Sequence, residues 1–463
     1  MRLLQWLDNT MTAHGRCCLL RRHSEIKRLR HGKPPCSSHV RSAPTWRAYV
    51  RSARPSVPAG WSLFGSGVPF AACAFARDKS RRFSCITIRE KGTEGYRLKL
   101  HLWSPGFSPF QGGIGAYSRA LATTLRDLGH EVRLYGKTDV PGIWDGFPLW
   151  GAGRSSGYAQ TARFAAGLLA ACAYHRPDRV MSTHLNFGPV ASLAKKLFGI
   201  PFTLSAHGIE VHENLSAARQ EALRNADLIF AGSTWAEQRL TELIHLDPAR
   251  IRILPNTVDE GRFSHGDKPE RLVSRYNLQP DEQVVLTVAR LDAREGYKGY
   301  DRVVQALPTV RTACGRVRYI VAGKGDDQAR VETMARELGV DDAVTFAGFV
   351  ADEELADHYR LADVFAMPST GEGFGIVFLE AMACGTPVLA GNSDGSVDAV
   401  DNGRLGRLVD PKDVRAIANG LIDLLQRKGP AWWFDRDALH DAVVARFGSA
   451  AFREELRSVL STR

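Results

Sequence analysis

The stretch VFAMPSTGEGFGIVFLEAMACGTPVLA, residues 364–390, decides the fold class. Its two ends, residues 364–367 and 387–390, are short apolar runs that are typical of buried strands. Between them, a glycine-rich loop leads into an apolar helical stretch at 375–384, which ends at Gly385. A strand, a helix and a second strand in this order form one βαβ unit, from which parallel sheets are built.

The same alternation of short apolar runs and helical periods extends over residues 96–463. It predicts strands at 97–103, 131–135, 179–183, 201–206, 228–231 and 251–254, and then at 284–289, 319–322, 344–347, 364–367 and 387–390. The polar stretch 260–281 is the predicted linker between the two sets. We therefore predict an α/β protein of two doubly wound, Rossmann-like domains, at 96–270 and 271–463, that face each other across a cleft. A terminal helical stretch at 437–462 is predicted as the crossover helix that ends the second domain.

Charge separates the N-terminal fifth from the rest of the 463-residue chain. Residues 1–95 hold 18 basic and 5 acidic residues, whereas the remainder holds 43 and 45, so the body is nearly neutral and does not indicate nucleic-acid binding. We expect residues 1–95 to be a disordered basic extension. A targeting leader and translated sequence upstream of the true start remain alternatives. Ordinary hydrophobic and charged fractions, 44% and 24%, exclude a wholly disordered or multi-span membrane chain.

The glycine-rich loop of the second domain carries two carboxylates and a helix start. Glu372 precedes the predicted helix, and Glu380 lies inside its apolar run, where a carboxylate costs free energy unless it has a partner. The main-chain amides around Phe374 and Gly375 come at the helix N-terminus, which favours a bound anion. This loop is the strongest candidate for a ligand site.

Other candidate residues also follow predicted strands. Arg290 and Lys298 come after the first strand of the second domain, where two cations suit a diphosphate. In the first domain, Gly113 lies in the predicted loop 104–115, and His207 follows the strand at 201–206. A tight turn would explain Gly113 equally well, and a lone histidine after a strand is more often structural. Asp435-Arg436-Asp437 is interpreted as helix capping, so no metal site is predicted.

Taken together, these motifs resemble the family 4 retaining glycosyltransferases (group 1), which have the GT-B fold. The matching features are Gly112-Gly113-Ile114-Gly115, His207-Gly208-Ile209-Glu210, Pro255-Asn256-Thr257-Val258-Asp259, Arg290 with Lys298-Gly299, and Glu372-x7-Glu380. One stretch departs from the family's common Gly-Gly and Pro-Glu pattern: residues 391–398 read Gly-Asn-Ser-Asp-Gly-Ser-Val-Asp.

The resemblance implies metal-independent transfer of a hexose, with retention, from a nucleotide-diphosphate sugar of the GDP-mannose or UDP-hexose type. The acceptor would be a hydroxyl of a glycan or of a lipid-linked molecule, in cell-surface polysaccharide or glycolipid synthesis. Glu372 and His207 are the implied catalytic residues. The implied donor-binding residues are Gly113, Arg290, Lys298, Phe374, Gly375 and Glu380. No cofactor and no protein nucleophile are implied.

Alternatives from other classes stay open at this point. A GT-B nucleotide-sugar epimerase or phosphorylase would share the fold, and a non-catalytic surface-binding protein would rely on the basic extension. Three scattered cysteines in the body fit a reducing compartment, so we expect a cytoplasmic protein. Lys195-Lys196 offers a contact with the inner membrane face, although two cations on a helix are usually only solvated.

Overall fold

The computed structural model describes residues 97–108, 112–208 and 215–461. The basic extension predicted at 1–95 lies outside these ranges, and so do Ile209 and Glu210 of the histidine motif.

The first sheet has central strands that are buried on both faces, because helices cover it from either side. Its described strands are β1 (Lys99–Ser104), β2 (Glu131–Gly136), β3 (Gly142–Trp144), β4 (Phe147–Gly151), β5 (Arg179–Ser182), β6 (Phe202–Ala206), β7 (Leu228–Ala231) and β8 (Ile251–Ile253). Their order is β3-β4-β2-β1-β5-β6-β7-β8, and every neighbouring pair is parallel except the β3–β4 hairpin. The helices are α1 (Gly112–Asp127), α2 (Gly157–His175), α3 (Gly188–Phe198), α4 (Ala217–Asn225) and α5 (Thr234–Ile244).

The second sheet is parallel throughout, with the order β11-β10-β9-β12-β13-β14. Its described strands are β9 (Gln283–Val288), β10 (Val317–Ala322), β11 (Val344–Gly348), β12 (Val364–Met367), β13 (Val388–Gly391) and β14 (Arg407–Val409). The helices are α6 (Glu270–Arg275), α7 (Tyr300–Cys314), α8 (Gln328–Glu337), α9 (Asp352–Leu361), α10 (Ile376–Ala383), α11 (Ser396–Ala399), α12 (Val414–Leu425), α13 (Arg436–Phe447) and α14 (Ser449–Ser461). The predicted pair of doubly wound, Rossmann-like sheets is confirmed.

The strand order decides where ligands can bind. In each sheet the chain winds outward in both directions from one strand, β1 in the first and β9 in the second. Loops that leave the carboxyl ends of strands on either side of such a switch point separate and open a crevice. The loops after β6, β9 and β12, which carry most of the predicted site residues, all leave from these carboxyl ends.

The chain passes between the two sheets twice, and the two passages are joined by hydrogen bonds. The Phe447 carbonyl accepts from the Thr257 hydroxyl at 2.7 Å and from the Val258 amide at 3.0 Å. After the second passage, α14 returns to the first sheet, where Leu456 is fully buried against the cluster that contains Leu121. The end of the chain therefore closes the core of the first domain.

The structure differs from the sequence prediction in the region 137–178, where no element was predicted. Strands β3 and β4 are short and rich in glycine, so they show no alternation of apolar and polar residues. Helix α2 contains the nearly uniform run Ala-Ala-Gly-Leu-Leu-Ala-Ala, which has no polar face to mark a helical period.

Three further boundaries were wrong. Helix α1 begins at Gly112, so the residues 112–115 that were predicted as loop form its first turn. The predicted linker contains the short helix α6, and the terminal helical stretch is interrupted at Gly448. Within the described ranges, every helix is either too short or too polar to cross a membrane.

Candidate active site

The glycine-rich loop at 368–375 connects β12 to α10 and carries Glu372. Gly375 adopts φ = +89°, a conformation that side-chain-bearing residues rarely take, and a Cβ there would lie 2.6 Å from Cδ2 of Phe378. Glycine is therefore required where the loop turns into the helix. The first amides of α10 have no acceptor within the helix, so they are oriented to receive an anion in the crevice.

The main chains of the two domains approach each other closely at Gly373. A Cβ on Gly373 would lie 1.5 Å from the carbonyl oxygen of His207, and a Cβ on Gly208 would lie 2.2 Å from Cα of Gly373. The Ser233 hydroxyl, at the start of α5, donates to the Gly373 carbonyl at 2.6 Å. The loop that carries Glu372 is thus fixed from the first domain as well as from the second.

Lys298 and Glu372 form a buried ion pair in this crevice. Nζ of Lys298 lies 2.8 Å from Oε2 of Glu372, and each side chain is only 12% exposed. Burial by itself lowers the pKa of Lys298, but the charge and hydrogen bond of Glu372, together with Tyr297 and Glu295, outweigh burial, and the net shift of the pKa is upward. The lysine is therefore charged, and an incoming anion would compete with Glu372 for it.

Arg290 follows β9 on the same loop as Lys298, but in a different environment. Its side chain is 70% exposed and forms an ion pair with Glu295. The Glu295 side chain is only 13% exposed, so a guanidinium that turns toward a ligand would leave a mostly buried carboxylate without this partner.

Glu380 lies inside α10 and has the partner that its burial requires. The hydroxyl of Tyr359, on α9, donates to Oε2 of Glu380 at 2.8 Å. Burial raises the pKa of Glu380 to about 7, although the hydrogen bond from Tyr359 and the charge of Arg262 oppose the shift. This carboxylate is consequently poised between its two protonation states near neutral pH.

The remaining predicted residues border the same crevice. Nε2 of His207 donates to the Thr183 carbonyl at 2.9 Å, and the imidazole packs edge-on against Tyr117 at 4.8 Å between ring centroids. Gly113, in the first turn of α1, lies opposite the start of α10: a Cβ on Gly113 would be 3.4 Å from Cγ2 of Ile376. The N-termini of α1 and α10 thus face each other.

Phe374 can contribute to the candidate site only through its main chain. Its ring is 2% exposed and packs against Phe447 at 5.8 Å in the core of the second domain. The sequence predicted its amide as the functional group, and the buried ring explains how this amide is held in place.

Sequence reasoning missed Asp394, a buried carboxylate that contacts the Glu372 loop. One of its oxygens accepts from the Glu372 amide and from the Ser369 hydroxyl, both at 2.7 Å. The unusual sequence of residues 391–398, which departs from the family pattern, was the available signal. The positions of these residues along the chain did not show that the segment contacts the loop that carries Glu372.

Comparisons with known proteins agree with this geometry. The family model "Glycosyl transferase 4-like domain" matches residues 112–257, and "Glycosyl transferases group 1" matches residues 270–434. Among solved structures, the chain is similar to sucrose-phosphate synthase from Thermosynechococcus elongatus, with a TM-score of 0.66, 24% identity and coverage of 79% of this chain and 98% of that one. Anabaena HepE, solved with UDP-glucose, gives a TM-score of 0.65 at 21% identity and covers 79% of this chain.

Sequence relatives are more similar. A D-inositol 3-phosphate glycosyltransferase of Mycobacteroides abscessus is 30% identical over 83% of this chain and 90% of its own length. A GDP-mannose-dependent alpha-(1-6)-phosphatidylinositol monomannoside mannosyltransferase of Mycolicibacterium smegmatis is 32% identical over 69% of this chain and 87% of its own length. Fold and sequence relatives together define a glycosyltransferase of the GT-B type. The chain belongs to the group 1 glycosyltransferases of family 4.

Burial of Glu380 makes stability depend on pH in a definite direction. The pKa of Glu380 is about 7 in the folded protein, above its ordinary value of 4.5. Protonation of Glu380 therefore stabilises the folded protein in full below pH 4.5, and this stabilisation is lost as pH rises through 7. Between pH 5 and pH 8, we expect the free energy of unfolding of Glu380→Gln to rise by about 1–3 kcal/mol relative to that of the wild-type protein. Tyr359→Phe, which removes the hydrogen bond to the carboxylate, should enlarge the loss of stability with pH. Urea unfolding at both pH values measures this, and a pH-independent difference for Glu380→Gln would contradict it.

Proposed function

We propose that this protein transfers a hexose, with retention of anomeric configuration, from a nucleotide-diphosphate sugar to an acceptor hydroxyl. The observation that carries this proposal is the buried Lys298–Glu372 pair beside a glycine-rich loop and a helix N-terminus, at the switch point of the second sheet. A cation and oriented amides suit a diphosphate, and the adjacent carboxylate suits the positive charge that develops on a sugar ring as its glycosidic bond breaks.

Each residue of the site then has a distinct role. Arg290 and Lys298 bind the diphosphate together with the amides of Phe374 and Gly375, and the absence of a side chain on Gly113 lets α1 approach it. Glu380 accepts hydrogen bonds from the ribose hydroxyls, which its ionised form favours. We place the donor mainly on residues 271–463 and the acceptor mainly on 96–270.

The reaction needs no protein nucleophile. The bond between the anomeric carbon and the leaving phosphate oxygen breaks, and the acceptor oxygen bonds to the same face of that carbon. The acceptor's proton passes to the leaving phosphate oxygen, so atoms and charge balance. Glu372 stabilises the cationic sugar, and His207 contacts the sugar or phosphate from the first domain. Lys298 and Arg290 stabilise the charge that accumulates on the diphosphate.

The sequence relatives support the substrate class. One is named for GDP-mannose and phosphatidylinositol monomannoside, and another for D-inositol 3-phosphate. We propose a GDP-mannose or UDP-hexose donor and a glycan or lipid-linked acceptor, in polysaccharide or glycolipid synthesis. We also propose a cytoplasmic protein that approaches the inner membrane face. Lys195 contributes less to such a contact than the sequence suggests, because its ammonium is 2.7 Å from Asp227.

A donor panel tests this function. The purified protein is incubated with GDP-mannose, UDP-glucose, UDP-galactose and UDP-N-acetylglucosamine, with and without inositol phosphate and lipid-linked acceptors. Nuclear magnetic resonance reads the anomeric configuration of donor and product. Transfer with retention is expected for one donor. Conversion of the free donor without acceptor would identify an epimerase, phosphate-dependent cleavage a phosphorylase, and binding without turnover a non-catalytic protein.

The ion pair gives a prediction for Glu372→Gln. We expect kcat to fall roughly 100-fold, because the carboxylate stabilises charge that develops only in the transition state. Affinity for the nucleoside diphosphate should not weaken, since Lys298 loses the group that competes with phosphate. Calorimetry and steady-state kinetics measure the two effects. Weaker nucleotide binding with unchanged kcat would overturn the assignment.

Arg290 and Lys298 are predicted to act as one diphosphate clamp. Charge-assisted contacts are worth about 1.5–3 kcal/mol each, so either alanine substitution should lower kcat/KM roughly tenfold to a hundredfold. Because both hold the same leaving group, the double variant should be non-additive. Arg294→Ala is the matched control, since Arg294 is on the same loop, is 72% exposed and pairs with Asp292; it should keep full activity.

A chelator separates this clamp from a metal-dependent mechanism. In the described residues, no three His, Cys, Asp or Glu side chains are grouped so that they could hold one ion. We expect wild-type activity to survive EDTA. Activity that is lost in EDTA and restored by added metal would count against the clamp.

A further inference from the structure

We infer that Asp394 is a positioning residue that fixes the main chain of Glu372 in the orientation that the transfer reaction requires. This inference rests on the proposed function, because it assigns a purpose to the exact placement of the Glu372 carboxylate. Asp394 lies between β13 and α11, in the segment that departs from the family pattern, and it is 2% exposed.

Both main-chain polar groups of Glu372 are held by consecutive residues of this segment. The Glu372 amide donates to Oδ2 of Asp394 at 2.7 Å, and the Gly395 amide donates to the Glu372 carbonyl at 2.8 Å. The Ser369 hydroxyl, at the start of the loop, donates to the same Oδ2 at 2.7 Å. One oxygen of Asp394 therefore sets the distance between Ser369, at the beginning of the loop, and Glu372.

The other oxygen of Asp394 anchors the carboxylate in the second domain. Oδ1 accepts from the Ser396 amide at 3.0 Å and from the Ser396 hydroxyl at 2.5 Å. Burial raises the pKa of Asp394 above its ordinary value, and these hydrogen bonds oppose the shift because they favour the ionised form. Such a buried carboxylate is expensive unless each oxygen is used, and here each oxygen accepts from a different main-chain amide.

The same segment also touches the first domain. A Cβ on Gly395 would lie 2.1 Å from the Gly373 carbonyl and 2.8 Å from the hydroxyl oxygen of Ser233 in the first domain, so only glycine fits there. Asp398 accepts from the Thr234 amide at 3.1 Å and from its hydroxyl at 2.8 Å. Asp394 thus holds the loop at the place where the two domains meet, and an error in its position would move Glu372 relative to both.

Asp394→Asn isolates this role. An asparagine has almost the same shape but only one acceptor oxygen, so it cannot accept from both the Glu372 and the Ser396 amides. Ser396→Ala is the matched control, because it removes a hydrogen bond from the same buried carboxylate on the side away from the loop. If Asp394 only stabilises the fold, the two variants should behave alike.

The experiment combines kinetics, nucleotide binding and hydrogen exchange on the full chain. We expect Asp394→Asn to lower kcat at least tenfold while affinity for the nucleoside diphosphate changes less than threefold. The value of kcat is calculated per protein molecule that binds nucleotide, so that unfolded protein does not count. Ser396→Ala should lower the melting temperature but keep kcat within twofold. Amide exchange in a peptide covering 369–375 should be at least tenfold faster in Asp394→Asn only.

The outcomes separate this inference from the proposed function. Equal losses of kcat in the two variants, or unchanged exchange at 369–375 in Asp394→Asn, would overturn the positioning role. A wild-type protein that transfers no sugar from any donor would instead refute the proposed function, and the exchange measurement would still decide whether Asp394 holds the loop.

Discussion

The close approach of two main chains at Gly373 is the constraint on which the site depends. The carbonyl of His207 and the Cα of Gly208 leave no space for a side chain there. Because this contact joins the two domains, it fixes the distance between the histidine of the first domain and the carboxylate of the second. The hydrogen bond from Ser233 to the Gly373 carbonyl makes the contact directional as well as close.

Electrostatics explains why this crevice suits an anionic donor before any ligand is present. Lys298 is held charged at low exposure by Glu372, so its desolvation is already compensated when a diphosphate arrives. Arg290 is more exposed and pairs with Glu295, whose side chain is mostly buried. A ligand therefore meets one buried cation and one exposed cation on a single loop.

The sequence was sufficient to predict the architecture and to nominate most residues of the candidate site, but it did not predict contacts between segments that are far apart in the chain. Strands such as β7 and β12 were predicted to the residue, because short apolar runs bounded by loops have few alternatives. Helix α2 and the β3–β4 hairpin were missed, since neither shows a clear period. The Lys298–Glu372 pair joins residues 74 positions apart, and spacing along the chain cannot reveal such a contact.

Buried carboxylates in the second domain are accommodated in three different ways, and each way limits what the group can do. Glu372 is paired with the ammonium of Lys298, which holds its carboxylate in the crevice. Glu380 has a tyrosine hydroxyl as its partner and a pKa of about 7, so ligand hydroxyls can shift its protonation. Asp394 receives main-chain amides on both oxygens, which suits a fixed structural link. The chemistry of the site follows from these partners, because a carboxylate alone does not determine its role.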